Sequence, residues 1–328
     1  MLNQNFVQAT KMNNIISKVV NKFKKKYKQI KSTVEKKILN SNWYYSKFPH
    51  LYTYRNIQQE LDVISLGSSP AKFAIDFSEE HFCKGANLAI LPETIYYDFQ
   101  VLKNYHSYLK NGGTILFVLC PFTFCKDKYR TEEHTDIYLN LRYYPILHRA
   151  MIDNFDPAIY EKWVKNPLKI GKEAWKRLLK DSVPYKGLAK TTNNLSDVQM
   201  EESAQKRIEA WKHEFNLSDL KPSNLPELVK TSIQSNINIF KEMKAFAEER
   251  GYNCMVVIPP FSKELTAKIP SEYIDAALMN PIKEIGIQYI SYIKKPEWMK
   301  KEYYQDAFLM NFTGRKTLTH DIISKMNF

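Results

Sequence analysis

From Leu61 onward the chain alternates short apolar runs with longer stretches in which apolar residues recur every three or four positions. The runs at 62–66, 86–91 (Ala-Asn-Leu-Ala-Ile-Leu), 114–120 (Thr-Ile-Leu-Phe-Val-Leu-Cys), 253–259 and 287–292 are mostly continuous in apolar character. That is the pattern of parallel strands covered on both faces. Stretches with helical periodicity lie between them, at 94–110, 227–250 and 272–284, and a closing helix is expected over 314–326, starting near Thr313-Gly314. Gly112-Gly113 and Gly251 fall at helix-to-strand junctions, where a left-handed residue often closes a helix. The βαβ rhythm predicts an α/β fold, a three-layer doubly wound parallel sheet of about five strands.

Two segments stand outside this rhythm. Residues 122–226 separate the third and fourth strands, contain Trp163, Trp175 and Trp211, and are too long for a bare loop, so they predict a mostly helical insertion or lid. Residues 11–39 have helical periodicity, with Ile15, Ile16, Val19, Val20, Phe23, Tyr27 and Ile30 largely on one face and lysines on the others. This helix has three readings: docking on its own domain, lying on an anionic membrane surface, or pairing with another copy. The expected organisation is a basic helix over 1–45 and an α/β domain over 46–328, interrupted by the insertion at 122–226.

Charge sharpens this picture. The net charge is +13, of which +9 falls in residues 1–40, with ten lysines against Glu35 alone. The rest of the chain has no basic stripe, so nucleic acid is not an expected partner. No run approaches the roughly 20 apolar residues needed to span a bilayer, and no secretory leader is visible. Cys83, Cys120, Cys125 and Cys254 are too few and scattered for a disulfide framework, and Cys120 and Cys125 lack the paired Cys/His spacing of zinc. A reduced, cytoplasmic protein with neither metal nor cofactor is the expectation.

The chemistry-bearing stretch is Asp62 to Phe77, in which the run Val63–Leu66 stops at Gly67 and is followed by Ser68, Ser69 and Pro70. A strand ending in Gly-x-Ser presents a serine at the mouth of an α/β sheet; the plain alternative is a polar turn capping a helix. The carboxyl ends of the other strands deliver Glu93, Cys120 to Cys125, Ser262, Asp306 and Asn311 to the same edge. Near the C-terminus the chain reads Tyr304-Gln305-Asp306-Ala307-Phe308-Leu309-Met310-Asn311-Phe312-Thr313-Gly314.

Together these blocks resemble the SGNH/GDSL hydrolase superfamily, especially its Gly-Ser-Ser branches, such as the D-alanine transfer proteins of teichoic acid synthesis. The likeness covers about 200 residues, outside the N-terminal helix and the insertion. It implies a flavodoxin-like sheet, Ser69 as nucleophile, Asp306 as the residue orienting a histidine, and Gly67, Ser68, Glu93 and Asn311 around the oxyanion or substrate. The histidine position of the closing motif is occupied by Leu309, which can neither accept nor donate a proton. His320, on the closing helix, and His134 or His148, in the insertion, are the substitute bases to consider. The second and third family motifs are also altered, to Leu91-Pro92-Glu93 and Cys120-Pro121-Phe122-Thr123. The resemblance implies an acyl transferase or esterase acting on a bacterial surface-glycan intermediate, with a carbohydrate or acyl donor as substrate. The competing expectation is a non-catalytic relative that binds a glycan intermediate or a membrane partner, with Leu309 marking the loss. A third, weaker resemblance, of Leu109-Lys110-Asn111-Gly112-Gly113 to class I methyltransferases, lacks the Gly-rich loop after the first strand that such a cofactor needs.

Overall fold

The structure is a computed structural model that describes residues 2–126, 140–166, 168, 190–192 and 195–326. The chain divides into two compact units, one of residues 1–48 with 156–185, the other of residues 49–155 with 186–328. The segment expected to form one insertion is therefore shared between the two.

In the smaller unit, helix α1 (Leu2–Leu39) is longer than the reading from 11 because neither Pro nor Gly interrupts the preceding residues. Val19, Val20, Phe23, Tyr27 and Ile30 are exposed, whereas Ile38 is fully buried. A short helix, Asn42–Lys47, follows, capped by Ser41, whose hydroxyl accepts from the Tyr44 N–H. Trp163 stacks on Trp43 at 6.1 Å and meets Phe48 edge-on, and its carbonyl accepts from the Tyr44 hydroxyl.

The larger unit holds five parallel strands: β1 (Leu61–Leu66), β2 (Gly85–Asn87), β3 (Leu109–Val118), β4 (Asn253–Ile258) and β5 (Tyr289–Ser291). Their spatial order is β2-β1-β3-β4-β5. This is the three-layer α/β sheet with a helical insertion that the alternating pattern predicts. Apolar burial drives it: Val63, Ile64, Leu66, Ile115, Leu116, Val256, Val257 and Ile258 are all fully buried.

Differences from the pattern have local causes. The ladder of β2 is shorter than 86–91, although Leu88 and Ile90 still donate to the Ser65 and Gly67 carbonyls. Strand β3 begins at Leu109, opposite Leu61, and the register then jumps to Val63 opposite Thr114. Residues 110–113 form the resulting bulge, with Gly112 at φ 73°. The helix expected over 272–284 is broken into Ser271–Ile274, a wide turn at Asp275–Met279, and Asn280–Ile285. Pro281 lacks the N–H that a continuous α-helix needs there.

The helices that matter for the sheet edge are α2 (Ser69–Ala74), α3 (Ile95–Tyr105), α4 (Asp197–Glu214), α5 (Glu227–Glu248) and α6 (Phe312–Lys325). Among the described residues, no helix is long and apolar enough to cross a membrane.

Candidate functional site

In a β2-β1-β3-β4-β5 sheet the strand order reverses between β1 and β3, and the crevice beyond the carboxyl ends of those strands is where ligands bind in such folds. Gly67 makes the turn out of β1 at φ 132°. A Cβ at that position would lie 2.5 Å from the Val118 carbonyl oxygen, so only glycine lets β1 leave so close to β3. Ser68 comes next and is buried; its hydroxyl accepts from the Glu93 N–H at 3.1 Å and from Lys126 Nζ at 3.5 Å. Lys126 is delivered by the loop after β3, which Asn236 of α5 holds through bonds to the Phe124 and Lys126 carbonyls. Ser69 opens α2, is half-buried, and makes no side-chain hydrogen bond among the described residues. Ser68 is thus built into the wall, and Ser69 is the hydroxyl left available.

Glu93 and Asp98 form a buried carboxyl pair behind this turn. One Glu93 oxygen accepts from the Ile90 N–H at 3.1 Å. Among the described residues, Glu93 Oε1 and Asp98 Oδ1 have no hydrogen-bond donor, and each buried carboxyl acts on the other's proton affinity. Burial pushes Asp98 up to about 7. Burial, and then the Asp98 charge, push Glu93 well above the usual carboxylate range. Through its N–H on the Ser68 hydroxyl, Glu93 ties the β1 exit to the residues just before α3. Asp98 is absent from the residues that the sequence singles out. It sits five residues after Glu93 in the first turn of a helix capped by Thr94, and nothing in the pattern marks it.

Lys72 lies three residues after Ser69 on α2 and is buried, yet its ammonium makes no hydrogen bond or ion pair among the described residues. Burial pushes it down to about 8, with Asp76 drawing it up, Arg315 pushing it down and Glu93 drawing it up. Asp76 is itself engaged by Arg315 Nε of α6 at 2.8 Å. On the other side, His50 bonds the Arg142 carbonyl through Nε2 at 2.9 Å. Burial first, and then the Lys72 charge, push His50 down to about 3, so it stays neutral. Asn87 of β2 fixes α2 by donating to the Ala71 and Ile75 carbonyls. The signal for Lys72 in the sequence is the spacing Ser69-x-x-Lys72, which places both residues on one helical face.

The closing motif also reaches the carboxyl edge of the sheet. The Ser262 N–H, beyond β4, donates to the Ala307 carbonyl at 3.3 Å. Residues 304–310 form a small hairpin closed by the Tyr304–Met310 bridge, and Asp306 Oδ1 accepts from the Phe308 and Leu309 N–H groups at its tip. Ser69 and Asp306 therefore share a sheet edge, above β1 and beside the β4 exit respectively. Between the β3 exit and the hairpin lies an aromatic cluster in which Trp211 of α4 stacks on Phe122 at 4.1 Å and meets Phe308 edge-on at 5.2 Å. Asn311 donates to the Glu302 and Tyr304 carbonyls and accepts from the Gly314 N–H, which occupies both ends of its amide in shaping the start of α6. A Cβ on Gly314 would fall 2.1 Å from the Tyr303 carbonyl oxygen, so this glycine serves close packing.

His320 is exposed on α6, 3.4 Å from Glu80. Glu80 belongs to the loop that enters β2 at its amino end, so His320 stands at the edge of the sheet away from Ser69. His148 is exposed and takes the Ala150 N–H on its Nδ1. His134 lies outside the described residues. No group of three His, Cys, Asp or Glu side chains among the described residues is arranged to hold a metal. No family model matches the chain, and no curated protein matches it in sequence.

Proposed function

We propose that this chain is an SGNH-like acyl transferase or esterase acting on a bacterial surface-glycan intermediate, with Ser69 as its nucleophile. The observation that carries the reading is the placement of Ser69. Among the described residues it makes no side-chain hydrogen bond, and it follows a turn shaped by Gly67 and by the Ser68 bond to the Glu93 N–H. A nucleophile on a rigid turn beside a cationic side chain such as Lys126 suits the attack of an oxygen on an ester carbonyl. The glycan class comes from the resemblance of the Gly-Ser-Ser block alone. The exposed basic face of α1 supports peripheral attachment to an anionic inner membrane surface, where such intermediates are assembled.

The second reading, a non-catalytic glycan-binding protein, is favoured by the Asp306 turn. Leu309 replaces an imidazole, and Asp306 Oδ1 already accepts two backbone N–H groups. A fluorophosphonate separates the two readings, because it bonds only an activated hydroxyl. Mass spectrometry should find the adduct on the peptide holding Ser69 and lose it in Ser69→Ala. A wild-type chain that binds glycan and takes up no reagent establishes the binding reading instead.

A further inference from the structure

A serine nucleophile needs a group to take its proton, and the imidazole expected three residues after Asp306 is replaced by Leu309. The described residues around Ser69 offer few alternatives. Glu93 and Asp98 are buried, and Glu93 is committed to the Ile90 N–H. Asp306 commits an oxygen to its own turn. His50 faces the Arg142 carbonyl, and His320 lies at the other edge of the sheet. Lys72 is different: it is on the helix that Ser69 opens, buried, and without a bonded partner.

We propose that Lys72 is the general base for Ser69, so that the two residues form a Ser-x-x-Lys catalytic pair in place of the missing histidine. This rests on the reading of Ser69 as a nucleophile and adds the group that activates it. Three features of the geometry carry it. Residues i and i+3 of a helix are neighbours, with Cβ atoms roughly 5–6 Å apart. Helical side chains lean toward the amino end, the direction in which Ser68 and Ser69 lie from Lys72. Lys72 is buried without a bonded partner among the described residues, and the charged groups acting on it are Asp76, Arg315 and then Glu93, whose N–H donates to Ser68. A catalytic hydrogen bond that is open in the free enzyme and closes with substrate is ordinary for such pairs. Serine–lysine pairs also carry out acyl transfer on unrelated folds without any imidazole.

The chemistry balances with the groups present and an ester donor. Neutral Lys72 takes the Ser69 hydroxyl proton as Oγ bonds the acyl carbon, and the carbonyl π electrons move onto oxygen. Collapse of this intermediate breaks the bond to the leaving alkoxide, which receives the proton from the Lys72 ammonium. A sugar hydroxyl or water then enters by the same steps in reverse, giving its proton to Lys72 and releasing Ser69. The environment suits a base rather than a fixed cation. Burial lowers the ammonium to about 8, leaving about a tenth of the amine neutral at pH 7. Asp76 steadies the transient cation, and Arg315, which pairs with Asp76, keeps it from becoming permanent.

The test measures the rate of fluorophosphonate uptake at Ser69 in the full chain from pH 6.5 to 9.5, for wild type, Lys72→Met and Lys72→Arg. The wild-type rate should rise with pH, pass through half its plateau near pH 8 and level off about one unit higher. Both variants should lose at least 100-fold, the lower range for a removed general base, and lose that inflection. Circular dichroism confirms folding of each variant. Should Lys72→Met not fold, Lys72→Arg and the wild-type profile still decide, and a flat profile or one levelling below pH 7 overturns the proposal. Labelling of Ser69 in Lys72→Met at the wild-type rate and pH dependence removes Lys72 as the base while leaving Ser69 as nucleophile. Absence of any adduct on Ser69 across the pH range defeats the nucleophile itself, and Lys72 with it.

Discussion

Replacing Lys72 by methionine keeps the length and apolar stem of the side chain and deletes the ammonium, so its effect on stability should be dictated by pH. Burial lowers the pKa of this group from 10.5 to about 8, and a tenfold change in proton affinity corresponds to about 1.4 kcal/mol. Housing the charge therefore costs about 3 kcal/mol at pH 7. Below pH 8 the lysine is protonated in both folded and unfolded chains, and the full cost applies. Between pH 8 and 10.5 the unfolded chain holds more protons than the folded one, so wild-type stability rises with pH. Near pH 10.5 and above both forms are neutral and the cost is gone. Lys72→Met should accordingly be more stable than wild type by up to about 3 kcal/mol at pH 7, since volume-conserving swaps cost little. That advantage should fade toward zero by pH 10.5. Urea unfolding followed by tryptophan fluorescence at pH 7, 8, 9 and 10 reads the difference, with buried Trp211 and Trp298 reporting on the larger unit. A difference that does not change with pH, or a variant less stable at pH 7, refutes the burial of a strained ammonium at Lys72.

Other perturbations probe the neighbouring groups. The Asp98 carboxyl is raised from 3.8 to about 7, so its contribution to stability is complete below 3.8 and is lost as pH rises through 7. Asp98→Asn should therefore match wild type near pH 4 and exceed it in stability at pH 8, as read from denaturant midpoints. Gly67→Ala places a Cβ 2.5 Å from the Val118 carbonyl at a φ of 132°, which should cost about 1–3 kcal/mol and lower labelling of Ser69 with it. Deleting residues 2–30, a cut that spares buried Ile38, should abolish binding to anionic vesicles in a flotation assay. Binding of the intact chain should weaken as salt rises from 0.05 to 0.5 M, a range chosen so that the Debye length shrinks from above to well below roughly 10 Å.

The sheet is legible in the sequence because continuous apolar runs such as 114–120 have few homes other than a strand buried on both faces. Gly67 is legible for the same reason a turn is: one residue type satisfies the backbone beside Val118. The closing motif can be placed at the right edge from its order in the chain, but the use of its residues cannot. Asn311 and Gly314 look the same in sequence whether they serve a ligand or, as here, shape the entry to α6. Lys72 and Asp98 escape a reading of the sequence because their character comes from burial. A lysine on a short helix reads as solvated until His50, Asp76, Glu93 and Arg315 are seen around it. The sharing of 122–226 between two units is hidden as well, because Trp163 finds Trp43 and Phe48 across more than a hundred residues.

The most direct measurement of Ser69 as an activated nucleophile is a crystal structure of the chain after reaction with a fluorophosphonate at pH 8.5. Continuous density is expected from Ser69 Oγ to phosphorus at the carboxyl ends of β1 and β3, with Lys72 Nζ turned toward that oxygen. A phosphorus bonded to any other residue, or a crevice at Ser69 with no adduct while glycan is bound elsewhere, contradicts it.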